Sequence, residues 1–307
     1  MPVERIVVVG AGAVGCYFGG MLARAGTPVT LIGRAAHVDA INRNGLFLER
    51  SDFQAHIKVQ ADTRVEAVRD ATIVLLSVKT TDTETAAAAL APHLGRDALL
   101  VSFQNGVDNA ERIQRAIGIK AVPAVVYVAA AMTGPGRVKH NGRGDIVIGH
   151  LSRLESVFKN AEIPCRVSDN IAAELWTKLV MNCAYNAISA LTRSHYLAIK
   201  ENPLALTLMK ELIREVVAVA SASGIRIASP EELFETALKL GAAMSTATSS
   251  TEQDIARGRP TEIDSLNGYV ARRGKELGIP TPINTALHAL VKLLEAQARG
   301  DSISQNA

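Results

Sequence analysis

The chain has 307 residues, more than one hydrophobic core usually organises, and 48% of them are hydrophobic, so two domains with sizeable cores are expected. Its 33 basic and 30 acidic residues are scattered and give a formal net charge of +3, which argues against a nucleic-acid-binding protein. No apolar run reaches the length of a membrane span, and the 7 histidines form no pair at metal-ligand spacing, so neither a membrane protein nor a metal site is expected.

The first predicted elements are a buried strand, a glycine-rich turn and a helix. The apolar run Ile6–Val9 precedes the turn, and a helix of small residues is predicted from Val14 to Ala25. Backbone N–H groups at such a helix N-terminus bind the pyrophosphate of a dinucleotide. The alternative is a purely structural glycine turn. The predicted cofactor-binding residues are Gly10, Ala11, Gly12, Ala13, Val14 and Gly15.

The second strand, Val29–Ile32, ends at Gly33-Arg34, close to the position that contacts the adenosine ribose in such folds. A carboxylate there would favour NAD, but the first carboxylate after this strand is Asp39. A guanidinium suits a 2′-phosphate because it forms paired, charge-assisted hydrogen bonds. Arg34 therefore predicts NADPH as the cofactor, unless it is an ordinary exposed arginine.

Strands and helices then alternate, a pattern typical of an α/β domain with a Rossmann-type, doubly wound parallel sheet. We predict this NADP-binding domain over residues 1–169 and an all-helical substrate-binding and catalytic domain over residues 170–307. Further strands are predicted at Ala71–Val78, Ala98–Phe103, Val122–Val128, Asp145–Gly149 and Pro164–Val167, and further helices near Thr83–His93, Asn109–Ile117 and Ser152–Asn160.

Capping residues and glycines divide the helical half. Asn202-Pro203 and Ser229-Pro230 each predict a helix start, with ends at Gly224 and near Gly241. A further helix is predicted from Thr261 to Gly278, and fraying is expected over Gly300–Ala307.

Two polar residues directly follow predicted strands of the sheet, where ligands of such folds bind. Lys79 follows Ala71–Val78 and is placed to meet a phosphate or carboxylate. Asn105 follows Ala98–Phe103, although an Asn-Gly pair is equally typical of a simple turn.

A predicted helix from Ile171 to Leu191 carries a narrow polar stripe. Lys178, Asn182 and Asn186 are spaced four residues apart and share one face, whereas the surrounding residues are apolar. Asparagine is a poor helix former and a buried amide needs hydrogen-bond partners. A polar ligand would supply them, and bonds to another helix are the alternative. Lys178 could donate a proton to a carbonyl oxygen as hydride arrives at its carbon.

A third polar cluster spans Ser249–Asp254 and Thr261–Asp264. Ser249 with Glu252, or Ser250 with Gln253, fits a capping box, and Glu262 fits the first turn of a helix. Spacing alone therefore leaves structural and functional roles open for Ser250 and Glu262.

These motifs together resemble the ketopantoate reductase (2-dehydropantoate 2-reductase) family over essentially the whole chain. The matching segments are GAGAVG at 10–15, SVKTTDT at 77–83, FQNGVDN at 103–109, LWTKLVMNCAYNAISALT at 175–192 and SSTEQDIARGRPTEIDSLNGYV at 249–270.

The resemblance implies reduction of 2-dehydropantoate to (R)-pantoate with NADPH, a step toward pantothenate and coenzyme A. It assigns Lys178 as the general acid and Glu262 as the partner of the substrate hydroxyl. It makes Asn105, Asn182, Asn186 and Ser250 substrate contacts, and places Lys79 and Asn105 beside the cofactor and Arg34 at its 2′-phosphate.

Two other functions stay open at this point. One is a related reductase of a different 2-oxo acid, which the same polar stripe fits. The other is a protein that senses NADPH without turnover, although such a protein would not need Lys178 and Glu262. The sparse, odd set of 3 cysteines and a start that leads directly into a strand favour a cytoplasmic protein. The apolar helical half is compatible with a homodimer.

Overall fold

The structure is a computed structural model that describes residues 3–300. The chain divides into two compact units, Met1–Ile171 and Ala172–Ala307, so the division falls two residues after the boundary expected from the sequence. The predicted fraying of Gly300–Ala307 lies outside the described residues, except for Gly300 itself, which ends the last helix in a left-handed conformation.

The first unit contains a mixed sheet with the strand order β4-β3-β9-β8-β7-β6-β1-β2-β5, in which β10 pairs with β9. The six strands from β5 to β8 in that order run parallel, which confirms the predicted doubly wound parallel sheet. The strands are β1 Ile6–Val9, β2 Val29–Ile32, β3 Leu46–Glu49, β4 Gln54–Ile57, β5 Gln60–Asp62, β6 Ile73–Leu76, β7 Leu99–Ser102, β8 Val122–Gly134, β9 Arg137–Ile148 and β10 Cys165–Val167.

Helices cover both faces of this sheet. Successive residues of β1 enter different cores: Ile6 and Val8 join one, and Val7 and Val9 join the other. Side chains alternate across a strand, so both faces must be apolar when both are covered. The helices of this unit are α1 Ala13–Arg24, α2 Ala35–Asn44, α3 Thr83–Leu90, α4 Asn109–Ile117 and α5 Ser152–Asn160.

The largest departure from the sequence prediction is the hairpin of β8 and β9. These strands pair antiparallel over almost their full lengths, whereas only Val122–Val128 and Asp145–Gly149 were predicted. Three register shifts interrupt the pairing, and Arg143 has a positive φ of 56°. Such irregularities, with several alanines, glycines and polar residues, hide the alternating pattern that identifies a strand.

The second unit is helical, as predicted. Its helices are α6 Ile171–Thr192, which begins at the last residue of the first unit, α7 Tyr196–Glu201, α8 Pro203–Ala222, α9 Pro230–Ala243, α10 Ser250–Ala256, α11 Asn267–Leu277 and α12 Pro282–Arg299. The predicted starts of α8 and α9 are confirmed, since the Asn202 and Ser229 side chains accept hydrogen bonds from backbone N–H groups there. Within residues 3–300, none of the helices has the length and apolar character needed to cross a membrane.

The end of α9 at Ala243 agrees with the predicted end near Gly241, and the missing side chain of Gly241 leaves room for the Tyr185 hydroxyl group. One predicted helix start in this unit was wrong. Thr261 does not begin an α-helix; a short 3-10 helix, Ile263–Ser265, precedes α11. The predicted end at Gly278 is correct, and this glycine has a φ of 70°.

Candidate active site

The glycine turn is tied to the neighbouring strand through the backbone. The N–H groups of Gly10 and Ala11 both donate to the carbonyl oxygen of Ile32, at 2.9 Å each. Gly10 has a φ of 112°, and a Cβ atom at this position would lie 2.7 Å from the carbonyl carbon of Ser77. Because both the backbone conformation and the close approach exclude a side chain, position 10 requires glycine.

Gly12 presents the opposite situation. It is the N-cap residue of α1, and a Cβ atom here would meet no atom of residues 3–300 within 4 Å. The protein's own packing therefore does not require glycine at this position, but the approach of a ligand to the backbone would. The first turn of α1 begins with Ala13, Val14 and Gly15, and its N-cap residue Gly12 provides no side-chain cap. The first backbone N–H groups of a helix have no partner within the helix, and the first N–H group bonded inside α1 is that of Cys16, which donates to the Gly12 carbonyl oxygen at 2.8 Å. This arrangement fits the pyrophosphate of a dinucleotide.

Arg34 lies beside this turn. It is exposed at the N-cap of α2, and a Cβ atom on the preceding residue, Gly33, would lie 2.5 Å from the Cβ atom of Ala11. The nearest carboxylate on the adjoining strand, Asp62, pairs with Arg64 at 3.1 Å, and this hydrogen bond lowers the pKa of Asp62. Asp62 is thus engaged by a cation of its own, whereas the guanidinium of Arg34 is open to solvent.

The ends of β6 and β7 bring Lys79 and Asn105 to the same edge of the sheet. The two strands are parallel neighbours, with Leu76 opposite Ser102. The Ser77 hydroxyl group donates to the carbonyl oxygen of Gly10 at 3.0 Å, which joins this edge to the glycine turn. Lys79 and Asn105 are both half-buried. The glycine turn, the segment after β6 and the segment after β7 therefore lie close together in the first unit.

A buried hydrogen-bond network that the sequence did not predict holds these strand ends together. The Gln104 side-chain amide donates to the Val78 carbonyl oxygen at 3.2 Å and to the Thr83 hydroxyl group at 2.8 Å. Thr83 Oγ1 in turn lies 3.1 Å from Asn109 Oδ1, and the Asn109 amide donates to the Asn105 carbonyl oxygen. The sequence signal for this network is a polar residue just after β7, Gln104, together with polar residues at the starts of α3 and α4, Thr83 and Asn109.

In the second unit, α6 carries the predicted polar stripe. Lys178 and Asn182 are half-buried, and Asn186 is only 4% exposed. The carbonyl oxygen of Asn186 accepts a hydrogen bond from the Ser249 hydroxyl group at 3.1 Å, which ties this part of α6 to the start of α10. The polar stripe thus interrupts an otherwise largely buried helix, as the spacing predicted.

The start of α10 distinguishes the two serines. Ser249 is buried and is the N-cap: its hydroxyl group accepts from the Glu252 N–H at 3.0 Å, and its own N–H donates to the Ser189 hydroxyl group at 3.1 Å. Ser250 is exposed in the first turn. Of the two capping pairs that the sequence allowed, Ser249 with Glu252 is therefore the one formed, so the hydroxyl group of Ser250 is not used as the cap.

Glu262 is half-buried at the N-cap of the 3-10 helix. The residue before it, Thr261, donates a hydrogen bond to the carboxylate of Glu295 at 3.0 Å. Asp264, two residues after it, contacts His288 at 2.6 Å and Lys292 at 2.9 Å. The hydrogen bond to His288, followed by that to Lys292, holds the pKa of Asp264 well below its usual range despite partial burial.

The cysteines behave as core residues rather than nucleophiles. All three are free thiols, and burial raises the pKa of Cys16 to about 12 and that of Cys165 to about 11. A thiol with such a pKa stays protonated near neutral pH and is a poor nucleophile. In the described part of the chain, no group of three or more His, Cys, Asp or Glu side chains could hold a metal ion.

Comparison with known proteins identifies the class of protein. Residues 6–153 match the family model described as ketopantoate reductase PanE/ApbA, and residues 170–295 match the model of its C-terminal part. The chain is 34% identical to the 2-dehydropantoate 2-reductase of Pyrococcus abyssi and 32% identical to that of Halobacterium salinarum. Each match covers 95% of this chain, with 98% and 99% of the respective relatives.

Among solved structures, a PanE/ApbA family ketopantoate reductase from Ralstonia eutropha JMP134 is 44% identical and superimposes with a TM-score of 0.92, covering 96% of this chain and all of that one. A D-mandelate dehydrogenase shares the fold, with a TM-score of 0.90 at 24% identity and coverage of 96% and 99%. The fold and the matches define a pyridine-nucleotide-dependent reductase. More particularly, the chain belongs to the ketopantoate reductase family.

Proposed function

We propose that this protein reduces 2-dehydropantoate to (R)-pantoate with NADPH, a step toward pantothenate and coenzyme A. The observation that carries the proposal is the Lys178, Asn182 and Asn186 stripe on the largely buried helix α6, in a chain of this family. A polar ligand with a carbonyl oxygen and a carboxylate suits one cation and two amides on a single helix face.

We assign the cofactor to the first unit. The N-terminus of α1 binds the pyrophosphate, with Gly12 allowing close approach, and Arg34 binds the 2′-phosphate that distinguishes NADPH from NADH. Lys79 and Asn105 lie at the adjoining edge of the sheet and contact the cofactor, and Asn105 also contacts the substrate. When bound, NADPH supplies the hydride that reduces the 2-oxo carbon.

Lys178 completes the reduction. Its ammonium group donates a hydrogen bond to the 2-oxo oxygen and transfers a proton to it as the C–O double bond becomes a single bond, so the substrate gains one hydride and one proton. Asn182, Asn186 and Ser250 hydrogen-bond the substrate, and Glu262 accepts from its hydroxyl group. The solvent-open position of Ser250, with the capping role taken by Ser249, supports this assignment.

Replacement of the proposed acid tests this chemistry. We expect Lys178→Ala to lower kcat by about 10²- to 10⁴-fold, the usual contribution of a general acid, with a much smaller effect on NADPH binding. The measurements are the steady-state turnover of 2-dehydropantoate and the titration of NADPH, monitored by fluorescence. Near-normal turnover of the variant would reject the role of Lys178, and Lys200→Ala, on a neighbouring helix, is the control.

We extend the proposal to a cytoplasmic homodimer. The free thiols, two of which are buried, support a reducing compartment, and the exposed Leu290 and Leu293, three residues apart on α12, support a self-association face.

A further inference from the structure

One face of α12 contacts the segment that carries Glu262. His288, Lys292 and Glu295 recur at intervals of four and three residues, so they lie on the same side of the helix. His288 and Lys292 contact the carboxylate of Asp264, and Glu295 accepts from the hydroxyl group of Thr261. Glu262 is therefore flanked by two residues, Thr261 and Asp264, that are both fixed to this helix.

Burial makes these contacts costly to break. Glu295 is 2% exposed, and a buried carboxylate is tolerated only when hydrogen bonds and a cation compensate for lost hydration. Here the compensation comes from the Thr261 hydroxyl group, from the Thr261 N–H at 3.4 Å and from Lys292 at 3.5 Å. Lys292 thus bridges Glu295 and Asp264, the two carboxylates that hold either side of Glu262.

The backbone of the segment is restrained as well. Arg272, on α11, donates to the carbonyl oxygen of Asp264 at 2.9 Å, and the Ile263 N–H donates to the Thr261 hydroxyl group at 3.3 Å. Leu266, at the junction with α11, has φ and ψ of −110° and −108°, outside the helical region. Side chains from α11 and α12 thus hold this short 3-10 helix in place.

We propose that Asp264 and Glu295 are positioning residues for substrate recognition: together with His288 and Lys292 they form a clamp that fixes the backbone on which Glu262 meets the substrate hydroxyl group. This inference rests on the proposed function, because it assigns the clamp to the substrate side of the same reaction. We therefore expect that weakening the clamp lowers kcat/KM for the substrate and leaves cofactor binding in the first unit unchanged.

A double-mutant cycle tests the clamp. Asp264→Asn keeps the size of the side chain but removes the charge that His288 and Lys292 hold, and we expect kcat/KM for 2-dehydropantoate to fall about tenfold or more, largely through KM. In a Glu262→Gln background the same change should cost less than about twofold, because residues acting through one another are not additive. NADPH affinity should be unchanged throughout.

The controls separate positioning from folding. Glu276→Gln removes a comparable carboxylate–arginine pair on α11, 2.9 Å long, and should leave kcat/KM unchanged. His288→Gln, which retains a side-chain N–H donor, gives a milder second cycle if Asp264→Asn does not fold. Equal losses in both backgrounds, or no loss in either, would overturn the clamp. If Glu262→Gln alone leaves kcat/KM unchanged, the proposed substrate role of Glu262 is rejected. That result is distinguishable from the equal losses in both backgrounds that would reject the clamp.

Discussion

At the scale of single residues, the choice of cofactor depends on Arg34. It is exposed at the end of β2, next to the glycine turn, and in the described residues no carboxylate pairs with it. A guanidinium in that position gains charge-assisted hydrogen bonds from a 2′-phosphate but little from a 2′-hydroxyl group. NADPH and NADH should therefore respond differently to its removal.

We expect Arg34→Ala to weaken NADPH binding by about 1.5–3 kcal/mol and to leave NADH binding nearly unchanged. Titration of each nucleotide into wild-type and variant protein measures both effects. Arg43→Ala, an exposed arginine in the last turn of the same helix, is the matched control. Equal losses for the two nucleotides would remove the argument for Arg34 as the residue that selects NADPH.

The sequence correctly predicted that Lys178, Asn182 and Asn186 lie on one largely buried helix, whereas it did not predict contacts between distant residues. The asparagines of α6 stood out because amides are unfavourable inside an apolar helix. The sequence did not identify Gln104 and Glu295 as structurally important. Their hydrogen-bond partners, Thr83 and Thr261, are far away in sequence and are brought near only by the fold.

At the scale of elements, the start of α10 separates stability from substrate binding. Removing the cap with Ser249→Ala should destabilise the protein by about 1 kcal/mol or more, because the hydroxyl group also bonds the Asn186 carbonyl oxygen. Ser250→Ala should leave the melting temperature within about a degree and raise KM for 2-dehydropantoate. Thermal unfolding and steady-state kinetics of the two variants measure this contrast. If the two variants lose stability equally, Ser250 has a structural role instead.

Elements whose ends are marked by capping residues could be predicted from the sequence, and elements without such residues could not. Asn202 and Ser229 identified the starts of α8 and α9 because their side chains replace missing backbone partners. The β8–β9 hairpin lacks such signals, and its bulges break the period of two. The segment from Thr261 to Leu266 was mistaken for a helix start because its conformation is imposed by α12 and α11, which no local pattern reveals.

At the scale of the whole molecule, the chain consists of two compact units that divide after Ile171. A parallel sheet with both faces covered needs continuous apolar strands, and these are what the first half supplies. The second unit is helical and matches the C-terminal model of the ketopantoate reductase family, so the similarity to this family extends over nearly the whole chain.

We assign 2-dehydropantoate as the substrate of this protein. The most direct measurement is steady-state NADPH oxidation with 2-dehydropantoate, and with pyruvate, 2-oxoisovalerate and 2-oxoglutarate as comparators. We predict a kcat/KM of about 10⁴–10⁶ M⁻¹ s⁻¹ for 2-dehydropantoate alone, within the usual range of enzymes. Slow or equal rates across all four acids, with tight NADPH binding intact, would contradict this substrate assignment and indicate either a reductase of another 2-oxo acid or a protein that binds NADPH without turnover.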